Sequence, residues 1–124
     1  MLKISFDFDC TLGEPLFQKL AQICKMSSES PEIFIVTARN KGQSYNRDLL
    51  GVATKLNIPE SHIYYTEGAF KWKVIQQLNI NIHLDDVPVE CELIAKNTQC
   101  VPLLIWDEFC SASIKHDSFG HGIY

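Results

Sequence analysis

The chain has 124 residues, 46% of them hydrophobic and 21% charged, enough for one hydrophobic core and too few for a second. A formal net charge of -4 excludes a broad basic surface for nucleic acid or anionic membrane, and apolar runs such as Ile33 to Val36 are far too short to span a bilayer. Five cysteines, an odd number with no C-x-x-C spacing, and a chain that opens directly in an apolar strand without a leader pattern lead to the expectation of a reduced, cytoplasmic protein.

In chain order, the first apolar run predicts a strand over Leu2–Phe8, followed by a helix over Pro15–Lys25. Ser30 before Pro31 breaks the chain ahead of a strand over Glu32–Thr37. The spacing of Leu49, Val52, Ala53 and Leu56 predicts a helix over Gln43–Asn57, which Asn57 and Pro59 then end. A strand over His62–Thr66, a helix over Ala69–Asn79, a strand over Ile80–Asp85, a helix over Val89–Asn97 and a strand over Val101–Trp106 complete the series. The rest, to Tyr124, has no clear periodicity and is expected to pack across the domain or meet a partner. His83 and His62 read as core or sheet-edge histidines, and His116 and His121 belong to the tail.

Strands alternating with helices predict a parallel five-stranded sheet with right-handed crossovers and helices on both faces. Ligands of such sheets bind outside the carboxyl ends of the strands. Three of the predicted strands end in polar groups: the first in Asp7 and Asp9 with Thr11 beyond them, the second in Thr37-Ala38-Arg39-Asn40, the fourth in Asp85-Asp86. Closely spaced ionised carboxylates are costly unless a positive charge compensates, and Mg²⁺, which takes oxygen ligands and phosphate together, is the natural cation. Each group also has an ordinary explanation. Asp7 and Asp9 could cap a turn, Asp85-Asp86-Val87-Pro88 could start a helix, and Lys41 and Arg47 fit a solvated surface. Segregation of all three polar clusters to one rim of the sheet is what these explanations leave out.

Asp7-Phe8-Asp9-Cys10-Thr11, Phe34-Ile35-Val36-Thr37, Lys71 before a helix and Leu84-Asp85-Asp86, in that order, resemble the four motifs of the haloacid dehalogenase superfamily of phosphotransferases and phosphatases. The resemblance covers nearly the whole chain. It implies a three-layer α/β/α Rossmann-like domain and a Mg²⁺-dependent phosphatase acting on a phosphorylated substrate. Asp7 would be the nucleophile that forms an aspartyl-phosphate, and Asp9 the general acid and then base. The metal would be held by the Asp7 carboxylate, the Asp9 carbonyl and Asp86, with Asp85 a supporting acid near the substrate. Thr37 would bind a phosphoryl oxygen and Lys71 would neutralise Asp7 and the phosphate, with Thr11, Ala38 and Arg39 also on the substrate side. Lys71 is preferred to Lys73 because it precedes Val74, Ile75 and Leu78 by helical spacings. Cys10, inside the first motif, reads as a packing or backbone-contact residue.

Many relatives carry a cap domain between these motifs. About twenty residues separate Thr11 from the second strand, and a helix, a strand and turns use up the stretch from Arg39 to Lys71, so a capless domain is expected. An open site implies a substrate large enough to cover it, such as a phosphoprotein or a nucleic-acid end, or an oligomer whose second subunit covers it. The acidic charge disfavours long nucleic acid, which leaves a nucleotide, a nucleic-acid 3'-phosphate or another small phosphomonoester. The alternative is a non-catalytic phosphate- or metal-binding module. A receiver domain of two-component signalling is excluded by order, since its phosphoacceptor follows the third strand, which here ends in Tyr65-Thr66-Glu67.

Overall fold

A computed structural model of the chain describes residues 1–42 and 44–105. Five strands, β1 (Lys3–Phe6), β2 (Glu32–Thr37), β3 (Ile63–Tyr65), β4 (Ile82–Asp85) and β5 (Val101–Leu104), form one sheet in the order β3-β2-β1-β4-β5. Every neighbouring pair is parallel. Four helices connect them: α1 (Pro15–Met26), α2 (Arg47–Lys55), α3 (Trp72–Leu78) and α4 (Pro88–Asn97).

The alternation of β2 shows why its stretch from Ile33 to Val36 is apolar at every position. Ile33 and Ile35 join a cluster with Phe17 and Ala21 of α1 and Leu49 and Ala53 of α2. Phe34 and Val36 join another with Ile75 of α3 and Ile94 of α4. Successive strand side chains point to opposite faces, so a strand covered by helices on both faces must be apolar at every position. The result is α1 and α2 on one face, the sheet, then α3 and α4 on the other.

β1 lies at the centre, and the chain builds outward from it first through β2 and β3, then through β4 and β5. Its reversal of direction falls between β1 and β4, the position where open α/β sheets form their ligand crevice. The three strands with polar ends are therefore adjacent, in the order β2-β1-β4.

Several element ends differ from the expected ones, each for a local reason. β1 stops at Phe6, because Asp7 still pairs with β4 through its N–H to the Leu84 carbonyl but its own carbonyl turns to accept from Leu12. Cys10, at φ 62°, takes the left-handed conformation that closes this turn. α2 begins at Arg47 and not near residue 43, since the preceding loop has its own anchor. Buried Asn46 donates from Nδ2 to the Asn40 and Gly42 carbonyls at 2.9 and 2.7 Å. α3 begins at Trp72, three residues late, because the Thr66 N–H bonds the Thr37 carbonyl, the Gly68 N–H bonds the Ala38 carbonyl and the Thr66 hydroxyl donates to the Ala69 carbonyl. These bonds tie the loop to the end of β2. β5 ends at Leu104, and the stretch from Trp106 to Tyr124, with its expected packing or partner role, lies outside the described residues.

Replacing Asn46 by Ala strands two loop carbonyls together with one Arg39 contact. Its expected cost is about 2 kcal/mol, measurable by urea denaturation. No helix among the described residues is long and apolar enough to cross a membrane.

Candidate active site

The site grows from a buried lysine. Lys71 caps the N-terminal end of α3 with its side chain 2% exposed, and its Nζ lies 3.0 Å from Asp7 Oδ1 and 2.7 Å from Asp85 Oδ2. Its backbone N–H donates to Glu90 Oε1 at 3.0 Å, so α4 fixes where α3 starts. Burial lowers the proton affinity of this amine, but the two carboxylates outweigh it and raise its pKa well above the usual lysine range. Lys71 is a permanent cation at neutral pH. Lys73, in contrast, lies over the Trp72 ring at 5.6 Å.

Asp85 closes β4 and is fully buried. Its Oδ2 accepts from Lys71 and from His83 Nε2 at 2.8 Å, and its Oδ1 accepts from the Val87 N–H at 3.1 Å. Burial pushes the Asp85 carboxyl up, yet the His83 hydrogen bond and the Lys71 charge hold it below the ordinary value. Burial keeps His83 below its usual pKa despite Asp85. The neutral ring therefore donates from Nε2 to Asp85 and accepts at Nδ1 from the Ser5 hydroxyl, 2.6 Å away. Ser5 and His83 sit opposite each other on β1 and β4. Sequence reading places His83 in the core but misses this role in orienting Asp85. A polar residue at matching positions of two apolar strands is a usable signal only once the strand pairing is known.

Asp7, Asp85 and Asp86 bring three carboxylates within 4.8 Å of one another. Asp7 is buried, and burial first, then the negative charge of Asp85, raises its pKa well above the ordinary carboxylate value against the pull of Lys71. Asp86 is half-buried at the start of the loop into α4. Three carboxylates facing one lysine leave an unbalanced negative charge, and an all-oxygen donor set suits a hard divalent cation. Each of the three could offer one oxygen to such a cation, and Asp85 also orients Lys71.

Thr37 ends β2, fully buried, and its hydroxyl oxygen accepts the Arg39 N–H at 3.2 Å. Among the described residues nothing accepts its own proton. Thr11 Oγ1 is buried and has no hydrogen-bond partner among the described residues. Ala38 carries the backbone carbonyl that holds Gly68.

Asp9 and Arg39 have different surroundings from those of Asp7. The Arg39 guanidinium grips Asp9 with Nε to Oδ2 at 3.0 Å and Nη2 to Oδ1 at 2.7 Å, and grips Asp48 with Nη1 at 2.8 Å and Nη2 at 3.0 Å. It also lies over the Phe8 ring at 4.9 Å. Hydrogen bonds to Asp48 and then Asp9 raise the Arg39 pKa, and the Arg39 hydrogen bond holds Asp48 below the ordinary carboxylate value. Asp48, in the first turn of α2, and Asn46 were not among the expected site residues, because a charge in a helical first turn has a sufficient local explanation.

A carboxylate with a lowered folded pKa supports stability above its unfolded value, and that support is lost as pH falls through the folded one. Asp48 is 59% exposed, so screening limits the gain to about 0.5 kcal/mol. Asp48→Asn is expected to be less stable than the unaltered protein by that amount at pH 7, with the gap narrowing only below about pH 4, as read by urea denaturation across pH.

No protein-family model matches the chain, and no curated protein matches it. Among the described residues Cys24, Cys91 and Cys100 are free thiols. Burial pushes the Cys91 thiol up to about 12 and the Cys100 thiol to about 11, which leaves neither suited to act as a nucleophile.

Proposed function

We propose that the protein is a Mg²⁺-dependent phosphatase that hydrolyses a phosphomonoester through an aspartyl-phosphate on Asp7. The observation that carries this reading is the convergence of Asp7, Thr37, Lys71 and Asp85-Asp86, from four separate segments, on the carboxyl edge of three adjacent strands. It also fits the haloacid dehalogenase resemblance of the four motifs and the capless arrangement which that resemblance implies. Among the described residues the elements between β2 and α3 are α2, a short 3₁₀ turn and β3.

In this reading Asp7 attacks phosphorus, the bond to the leaving oxygen breaks, and water later cleaves the acyl phosphate. Lys71 and the Thr37 hydroxyl stabilise the phosphoryl oxygens from fixed positions. Asp9 gives a proton to the leaving oxygen and afterwards takes one from the water. Asp85, turned by His83 and the Val87 N–H, keeps Lys71 aimed at Asp7. The divalent cation, held by Asp7, Asp86 and the Asp9 carbonyl, would supply the positive charge that keeps Asp7 ionised despite its burial.

One observation favours the second reading, a phosphate- or metal-binding module without turnover: both oxygens of Asp9 are occupied by Arg39. Phosphate release from p-nitrophenyl phosphate and a panel of phosphomonoesters, with and without EDTA, separates the two. Metal-dependent release supports the phosphatase. Its absence, with retained Mg²⁺ binding by calorimetry, supports the module.

A further inference from the structure

We propose that Arg39 selects the substrate: it stays locked to Asp9 and Asp48 until a second phosphate, carried by the leaving group, takes the guanidinium from Asp9. The assignment rests on the phosphatase reading above and adds the substrate class, a bisphosphorylated compound in which one phosphate is removed and the other is recognised.

Arg39 has five N–H donors, and the structure uses all of them. Nε and one Nη2 proton go to Asp9, the other Nη2 proton and one Nη1 proton to Asp48, and the remaining Nη1 proton is shared between Asn46 Oδ1 at 3.3 Å and the Tyr45 carbonyl at 3.4 Å. With this arrangement both Asp9 oxygens act as acceptors. While it holds both of these bonds, the Asp9 carboxylate is engaged with Arg39 and not with a leaving oxygen. Something must draw Arg39 away before the acid step, and a simple phosphomonoester brings only the phosphoryl group that Asp7, Thr37 and Lys71 already receive.

The lock is built so that an anion can open it. Asp9 is 59% exposed and Arg39 22%, and ion pairs this close to solvent contribute little net stability. The arginine's surroundings are set independently of Asp9. Its N–H is held by Thr37, its carbonyl accepts from the Glu67 N–H, its plane rests on Phe8, and Asn46 pins the loop beneath it. The guanidinium therefore keeps its place and orientation when Asp9 leaves. Two carboxylates already compete for one cation, so a third carboxylate has no advantage over Asp9. A phosphate, with more charge and three acceptor oxygens, does. Because Asp9 serves the leaving oxygen, the anion that replaces it at Arg39 belongs to the leaving group.

The test compares a nucleoside 3',5'-bisphosphate with the matching nucleoside 3'-monophosphate, same base and sugar. Affinities are measured by calorimetry in the Asp7→Asn background to prevent turnover, and kcat/KM is measured with Asp7 intact. The bisphosphate is expected to bind roughly ten- to a hundredfold more tightly. Arg39→Ala brings that ratio close to one, lowers kcat/KM for the bisphosphate and raises it for the monophosphate, where the freed Asp9 is no longer occupied. Arg39→Lys, which keeps the charge but not the bidentate fork, retains part of the preference and serves if the alanine variant does not fold. A ratio near one in the protein with Arg39 intact, or a preference that survives both Arg39 substitutions, overturns the assignment. A binding preference that depends on Arg39 without turnover of any phosphomonoester supports the anion site and rejects the phosphatase reading alone.

Discussion

Asp7→Asn lowers metal-dependent phosphomonoester hydrolysis by about 10³-fold or more, since it removes the atom that forms the covalent intermediate. The same substitution leaves thermal stability at pH 7 in EDTA undiminished or higher. Burial and Asp85 raise the Asp7 pKa, so the ionised group opposes folding. For a carboxyl raised in this way the penalty is fully present above the folded pKa and disappears as pH falls below the unfolded one. The stability gap between the variant and the unaltered protein should therefore be largest near neutrality and close toward acid pH. Lys71 keeps Asp85 as a partner when Asp7 becomes neutral, which is why the loss of one ion pair does not reverse the sign. Activity and melting temperature measured on the same preparations check both parts. Full activity in Asp7→Asn excludes Asp7 as the nucleophile.

Lys71→Met has the largest expected effect on stability, a loss of about 3–5 kcal/mol. The methylene stem is retained, but Asp7 and Asp85 lose their buried cation. The cost comes chiefly from leaving two buried carboxylates uncompensated, more than from the pair's net contribution. The double variant Lys71→Met/Asp85→Asn recovers part of the loss, and the coupling from the full mutant cycle is expected at roughly 1–3 kcal/mol. Mg²⁺ should raise the melting temperature of Lys71→Met by more than that of the unaltered protein, because a bound cation replaces the missing charge and binds only the folded state. Lys73→Ala is the contrasting control. Its ammonium rests on Trp72 at the surface, and its removal costs about 0.5 kcal/mol. Urea and thermal denaturation of the five proteins, with and without Mg²⁺, measure these values, and equal losses for Lys71→Met and Lys73→Ala would reject the buried charge network.

The two lysines also show how far local pattern reaches. Helical spacing to Val74, Ile75 and Leu78 points to Lys71, yet the helix itself begins at Trp72 and Lys71 is its cap. The spacing holds because a cap residue already sits on the first helical turn. What buries the ammonium, however, is Glu90 from α4 holding the Lys71 N–H while Asp7 and Asp85 take the side chain. Similarly, the two adjacent acids Asp85 and Asp86 are indistinguishable by type. In the fold His83 of the same strand, the Val87 N–H two residues on and the buried Lys71 ammonium give Asp85 its setting.

Strand and helix types, the parallel character of the sheet and the three polar strand ends all follow from short-range pattern: continuous apolar runs, helical stripes and turn residues are consequences of local geometry and burial. They made Asp7, Thr37 and Asp85-Asp86 readable as candidates before any fold was in view, and the family resemblance added Lys71. The strand order β3-β2-β1-β4-β5 was not readable, nor were the Ser5–His83–Asp85 relay, the Arg39 grip on Asp9 and Asp48, or the Asn46 anchor that delays α2. The strand order, the Ser5–His83 contact and the Arg39 grip on Asp9 depend on residues far apart in sequence that meet because helices must cover both faces of one twisted sheet. Asn46 and Asp48, in contrast, find their partners within ten residues through loop geometry that periodicity does not encode. Chain-local periodicity carries no information about which strands become neighbours, and a charge acquires its partner, and so its protonation and reach, only where the packed elements place it.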